Sequence, residues 1–99
     1  MAANYNTLVI TGVSGMPVRG AVFVFGIGGH ANENGTMAFM ASWHSPNNET
    51  YVKVLNGNIN PTITLDAANY KVYIKTGATW CITAFTSVYS DVKLSKANT

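Results

Sequence analysis

The chain has 99 residues, of which 47% are hydrophobic and 10% are charged, and its formal net charge is +2 at pH 7. This length suits one domain, and the high apolar fraction excludes disorder, which requires low hydrophobicity and high charge. Soluble domains ordinarily carry about a quarter charged residues. We therefore expect other copies of the chain to cover part of its surface; a monomer with an uncharged polar surface is the alternative.

Several classes of protein are disfavoured by simple patterns. The basic residues form no run and no basic helix, which argues against nucleic-acid binding through a charged footprint. No run of about 18 apolar residues is present, so we predict no membrane insertion. The first residues lack the basic and apolar regions of a signal peptide, which predicts either assembly in the cytoplasm or a domain taken from a longer chain. The single cysteine, Cys81, excludes an internal disulfide.

Short stretches of alternating or continuous apolar residues, separated by turns, predict seven or eight β-strands. The second of these stretches is apolar on both faces, which predicts a central strand. We predict a tail over residues 1–6, a single domain over residues 7–94 and a frayed end over residues 95–99. In chain order, the predicted strands cover residues 7–11, 21–25, 36–44, 50–55, 62–65, two strands within 70–89, and 92–94.

Two turns are predicted to close hairpins. Asn56-Gly57 is a strong hairpin signal because both residues tolerate positive φ, and Thr76-Gly77 is expected to join the two strands within residues 70–89. No segment shows a capped apolar period of 3.6, and residues 66–69 make one helical turn at most. The sequence therefore predicts an all-β fold, an antiparallel β-sandwich with a jelly-roll-like or Greek key arrangement.

No group of residues points to catalysis. His30, Glu33 and His44 are the one cluster with metal-ligand character, but zinc requires three or four protein ligands with supporting contacts. The four acidic residues lie in separate predicted loops, so no pair is placed for glycoside hydrolysis. The glycine-rich residues 26–29 are followed by a loop and a strand, whereas a phosphate site needs a helix. We predict no enzyme activity, no metal and no cofactor.

A ligand-binding face is the remaining candidate. Carboxamides both donate and accept hydrogen bonds, which suits sugar hydroxyls, although exposed turns favour the same residues. Trp43 is expected either to stack on a sugar or to pack in the core, and Trp80 is expected in the core. The predicted ligand-binding residues are His30, Asn32, Asn34, Trp43, His44, Asn47, Asn48 and Tyr51.

Three stretches carry a likeness to a known family: TLVITGVSGMPVRGAVFVFG, TMAFMASWHS after an NENG loop, and YKVYIKTGATWCITAFTSVYSDVKL. Over residues 7–94 the chain resembles the C-terminal tip domains of phage tail fibres and of related prophage or tailocin fibres. Such tips are homotrimers that bind a host-surface receptor, commonly lipopolysaccharide or another surface glycan. The resemblance implies a lectin-like, non-enzymatic receptor-binding module of a virion, made in the host cytoplasm, and it assigns no catalytic residue.

Two other functions fit the same pattern. A structural virion or assembly protein, acting as cement or decoration, would join neighbouring subunits and bind no glycan. A secreted carbohydrate-binding module, attached to an enzyme, would bind glycan as a monomer.

Overall fold

The computed structural model describes residues 4–28 and 34–99. These residues form an antiparallel, all-β structure, as predicted, with two single-turn 3₁₀ helices at Ser45–Asn47 and Ala67–Asn69. The described part of the chain contains no helix with the length and hydropathy of a membrane span. The strands are β1 (Tyr5–Gly12), β2 (Arg19–Ile27), β3 (Thr36–His44), β4 (Glu49–Asn56), β5 (Thr62–Asp66), β6 (Lys71–Val88) and β7 (Val92–Ala97).

The long strand β6 connects two groups of strands. Its first part, residues 71–75, pairs with β1 and β5, and β1 also pairs with β7. Its second part, residues 81–88, pairs with β2, which continues to β3 and β4. The strands β2, β3 and β4 form a meander, and β6 returns beside the first of them. This is the strand order of a Greek key, with β5 inside the returning connection.

A single core holds both groups together. Alternate residues of β1, β2, β3 and β6 point inward, as the period of two predicts. Because one cluster contains side chains from both groups, the sheet packs onto itself through β6, which is compatible with the predicted sandwich. The buried members are Leu8, Ile10, Val22, Val24, Met37, Phe39, Ala41, Trp43, Val72, Ile74, Trp80 and Ile82.

Both predicted hairpins are wrong. The segment 76–79 is a bulge inside β6: Thr7 pairs with Lys75 and Tyr5 with Trp80, so Asn6 alone faces four residues. Buried Thr76 has its hydroxyl 3.2 Å from the Asn6 carbonyl oxygen, which anchors the bulge. The Asn56-Gly57 turn closes no hairpin, because β4 pairs with β3 whereas β5 pairs with β6.

The predicted chain ends also need correction. β1 begins at Tyr5, inside the predicted tail, and β7 continues to Ala97, inside the predicted frayed end. The Asn6 amide N–H donates to Asn98 Oδ1 at 3.0 Å, and the Thr99 N–H donates to Asn6 Oδ1 at 3.0 Å. The last residues are therefore hydrogen-bonded along β1.

Candidate functional site

Three polar side chains lie side by side where β2, β3 and β4 meet the turn at 45–48. Arg19 pairs with His44, and His44 pairs with Glu49. Directly opposed residues of an antiparallel pair point to the same face, so all three share one surface. They border an open depression of about 740 Å³, here called the β2–β4 depression. Its lining is Arg19, Gly20, Ser42, Trp43, His44, Asn48, Glu49, Thr50 and Tyr51.

Hydrogen bonds order this polar row. Arg19 Nη2 lies 3.3 Å from His44 Nε2. Because a guanidinium only donates, the imidazole nitrogen is the acceptor in this contact. On the other side, Asn47 Nδ2 donates to Glu49 Oε1 at 2.7 Å. The depression thus offers a cationic donor and an anionic acceptor, whose charge-assisted hydrogen bonds are roughly twice as strong as neutral ones.

The turn between β3 and β4 sets this geometry. The Ser45 N–H donates to the Val18 carbonyl oxygen at 2.7 Å, which fixes the end of β3 beside the start of β2. Asn48 then adopts left-handed backbone angles, with φ 51° and ψ 38°, and its N–H donates to the Ser45 carbonyl oxygen. Asparagine tolerates this conformation better than most residues. As a result, the chain reverses within four residues and Glu49 begins β4 opposite His44.

The structure places Trp43 in the core, which removes it as a surface for sugar stacking. Its side chain is 3% exposed, and its Nε1 donates to the Pro17 carbonyl oxygen at 2.7 Å. The ring packs over Gly20, where a Cβ atom would lie 2.6 Å from Trp43 Cζ2. Trp43 therefore lines the depression without offering an exposed ring. Trp80 is also a core residue, as predicted, at 1% exposure.

Tyr51 presents the accessible aromatic ring of the predicted set. Its side chain is 62% exposed and lies on the outward face of β4, between Glu49 and Lys53 on the same face. A smaller depression of about 270 Å³ continues on the other side of Arg19 and ends at the exposed Tyr89. Arg19 is thus shared by two adjoining depressions, each with a tyrosine.

Apart from Trp43, the predicted residues fall into three groups. His44, Asn48 and Tyr51 line the β2–β4 depression, and Asn47 contacts its Glu49. Asn34 precedes β3, so it lies at the opposite end of that nine-residue strand, about 30 Å from His44. The predicted His30 and Asn32 are outside the described residues.

Sequence reasoning missed Arg19 and Glu49. Arg19 enters the site through the β2–β3 register, whereas Glu49 lies next to the turn that carries the predicted residues, and no pattern in the sequence marks it as a ligand contact. Across residues 4–28 and 34–99, no three His, Cys, Asp or Glu side chains are grouped so as to hold a metal.

Comparison with protein-family models, with curated proteins and with solved structures found no match to this chain. The resemblance to tail fibre tips, and the function that it implies, therefore stay predictions.

Proposed function

We propose that this chain is a non-enzymatic receptor-binding module that recognises a bacterial surface glycan, such as lipopolysaccharide, at the β2–β4 depression. The observation that supports this proposal is the exposed ring of Tyr51 beside the row Arg19, His44 and Glu49. An aromatic face packs against the apolar C–H face of a sugar, while charged groups hydrogen-bond its hydroxyls. The guanidinium further favours sugars that carry carboxylate or phosphate groups.

The location of the module is part of the same proposal. The resemblance over residues 7–94 supports a position at the tip of a tail fibre in a virion, where several copies would act together. A modest affinity at each site is then multiplied, because linked copies raise the effective concentration. The resemblance implies three-fold symmetry, and a measurement of the mass of the assembly in solution tests it.

The test is a glycan array followed by calorimetry with the best oligosaccharide. We expect Tyr51→Ala to weaken binding about two- to tenfold, because one aromatic contact contributes about 0.5–1.5 kcal/mol. Arg19→Ala should weaken anionic glycans more than neutral ones. Tyr70→Ala is the matched control, since it removes another exposed tyrosine ring that lies outside the depression. An array without a bound glycan, or equal affinity in all variants, would refute the proposal.

A structural virion or assembly protein is the second candidate, and the outer face of β2 and β6 favours it. The Phe23 and Phe25 rings lie 5.5 Å apart, and Phe85 lies 6.0 Å from Phe25. Phe85 is 64% exposed, which is unusual for an aromatic residue in a strand. This function predicts no glycan binding and co-assembly with capsid or tail components. A secreted carbohydrate-binding module, by contrast, would bind glycan and sediment as a single chain.

A further inference from the structure

Tyr89 is the most exposed of the large hydrophobic side chains in the described part of the chain, with 91% of its surface accessible. It comes directly after β6, in the short turn that leads to β7. Tyrosine is enriched at binding surfaces, because its ring is apolar and its hydroxyl group is polar. Tyr89 is therefore a candidate ligand contact, provided that its neighbours form a site with it.

The strand register places Tyr89 beside Arg19. β2 and β6 pair antiparallel, with Gly20 opposite Val88. The next residues along the two strands are Arg19 and Tyr89, and they are therefore neighbours. Both residues line the depression of about 270 Å³, and both also line a third depression of about 360 Å³. Because Arg19 also lines the β2–β4 depression, it is common to all three.

The guanidinium of Arg19 lies between the two exposed tyrosines. Tyr89 follows β6, Tyr51 belongs to β4, and β2 and β3 lie between these strands. Arg19 Nη2 is 3.3 Å from His44 Nε2 of β3, so the side chain is directed toward the middle of the four strands. This contact engages one of the five N–H donors of a guanidinium, and a carboxylate or phosphate needs two. An anionic group bound at Arg19 would then have an aromatic ring on each side.

The separation of the two tyrosines exceeds the reach of one sugar ring. Glu49, His44 and Arg19 lie in one row across the strands, Tyr89 lies next to Arg19, and Tyr51 is two residues beyond Glu49. Three spacings of about 4.8 Å between strands, combined with about 7 Å along β4, give about 16 Å between the Cα atoms of Tyr51 and Tyr89. A ligand that contacts both rings must therefore be a chain of several sugars.

Backbone hydrogen bonds fix the segments that carry this surface. The Val13 N–H donates to the Asp91 carbonyl oxygen at 3.1 Å, which holds the turn that contains Tyr89. The Ser45 N–H donates to the Val18 carbonyl oxygen at 2.7 Å, which holds the chain just before Arg19. A surface that is already ordered loses little conformational entropy when a ligand binds.

We propose that Tyr89 forms a second aromatic subsite, so that the ligand is an acidic oligosaccharide that extends from Tyr51 across Arg19 to Tyr89. This inference rests on the proposed glycan-binding function and adds the length and the charge of the ligand to it. Sugar rings pack on the two tyrosines through their apolar C–H faces. A carboxylate or phosphate on a sugar between them accepts two hydrogen bonds from Arg19. Short or neutral glycans fill only part of this surface and bind more weakly.

The test is calorimetry of the full chain with fragments of one glycan. The probe is the acidic glycan with the strongest signal on a bacterial glycan array, cut by partial hydrolysis into fragments that are sorted by length. We expect Tyr89→Ala to weaken the binding of long fragments about two- to tenfold more than that of the shortest ones, because only long fragments reach the lost ring. Arg19→Ala should weaken fragments of every length, because the guanidinium is central to the surface.

Tyr70→Ala is the matched control, since it removes an exposed tyrosine ring that lines none of the three depressions. It should bind fragments of every length as the wild type does, and thermal unfolding confirms that each variant folds. If Tyr89→Ala binds long fragments as tightly as Tyr70→Ala, or loses equal affinity for all lengths, the second subsite is wrong. A loss of affinity in Tyr51→Ala would then still support the proposed function. An array that binds only neutral glycans overturns this inference alone, and an array without any bound glycan overturns both proposals.

Discussion

Gly20 is the position where the smallest substitution should have the largest effect. It lies in β2 between Val88 of β6 and Trp43 of β3. An alanine Cβ there would overlap Val88 Cγ1 and would lie 2.6 and 2.7 Å from Trp43 Cζ2 and Cη2. The indole cannot withdraw freely, because its Nε1 donates to the Pro17 carbonyl oxygen at 2.7 Å.

The expected cost of Gly20→Ala has two parts. Overpacking in a dense core costs about 1–3 kcal/mol. A displaced indole also loses its hydrogen bond and leaves a buried carbonyl unsatisfied, which costs about 1–3 kcal/mol more. For a domain of this size, a loss of about 3 kcal/mol lowers the Tm by about 12–24 °C.

Thermal unfolding followed by circular dichroism and tryptophan fluorescence measures this effect. Gly15→Ala is the matched control, because a Cβ at Gly15 meets no atom within 4 Å. We expect the control to leave the Tm unchanged or to raise it slightly, since alanine reduces the entropy of the unfolded chain. If Gly20→Ala unfolds within a few degrees of Gly15→Ala, the close packing of Trp43 on Gly20 is wrong.

Two further predictions concern buried donors and backbone strain. Trp43→Phe should lower the free energy of unfolding, measured with urea, by about 1–3 kcal/mol more than Trp80→Phe does. The first substitution leaves the Pro17 carbonyl oxygen without its hydrogen-bond donor, whereas Trp80 Nε1 has no hydrogen-bond partner among the described residues. Equal losses of stability in the two variants would contradict this assignment. Tyr70→Asn should raise the Tm by about 4 °C, because Tyr70 holds a left-handed φ of 61° that costs a bulky residue about 1 kcal/mol. An unchanged or lowered Tm would show that the tyrosine ring contributes more than the strain costs.

The strands were predictable because each has a local signature. β3 was predicted with its observed bounds, and the alternation in residues 36–44 identified its buried face. On both sides of the bulge the even-numbered residues of β6 likewise face inward: Val72 and Ile74 before it, Trp80 and Ile82 after it. Burial on one face imposes a period of two whatever the neighbouring strand is.

The two wrong hairpin predictions share one cause. Gly57 and Gly77 do have positive φ, 98° and 88°, so the turn residues were correctly recognised as special. A positive φ, however, occurs in hairpins, bulges and loops alike, so it does not tell them apart. Which one forms depends on the strand that lies alongside, and that strand is distant in sequence.

The candidate site was predictable only in part for the same reason. His44, Asn48 and Tyr51 belong to one turn and its flanking strand, so their grouping is local. Arg19 joins them through the β2–β3 register. The burial of Trp43 depends on its packing against Gly20 of β2, where a side chain would overlap the indole.

The sequence by itself determined that this protein is all-β, which residues form most of its strands, and which side of each strand faces the core. These properties follow from alternation between apolar and polar residues, which acts over a few neighbours. The tertiary structure alone decided that β6 is one continuous strand, that Arg19 meets His44, and that β5 pairs with β6 and not with β4. Each of these features depends on contacts between segments that are distant in sequence, and such contacts become stable only when the whole core packs.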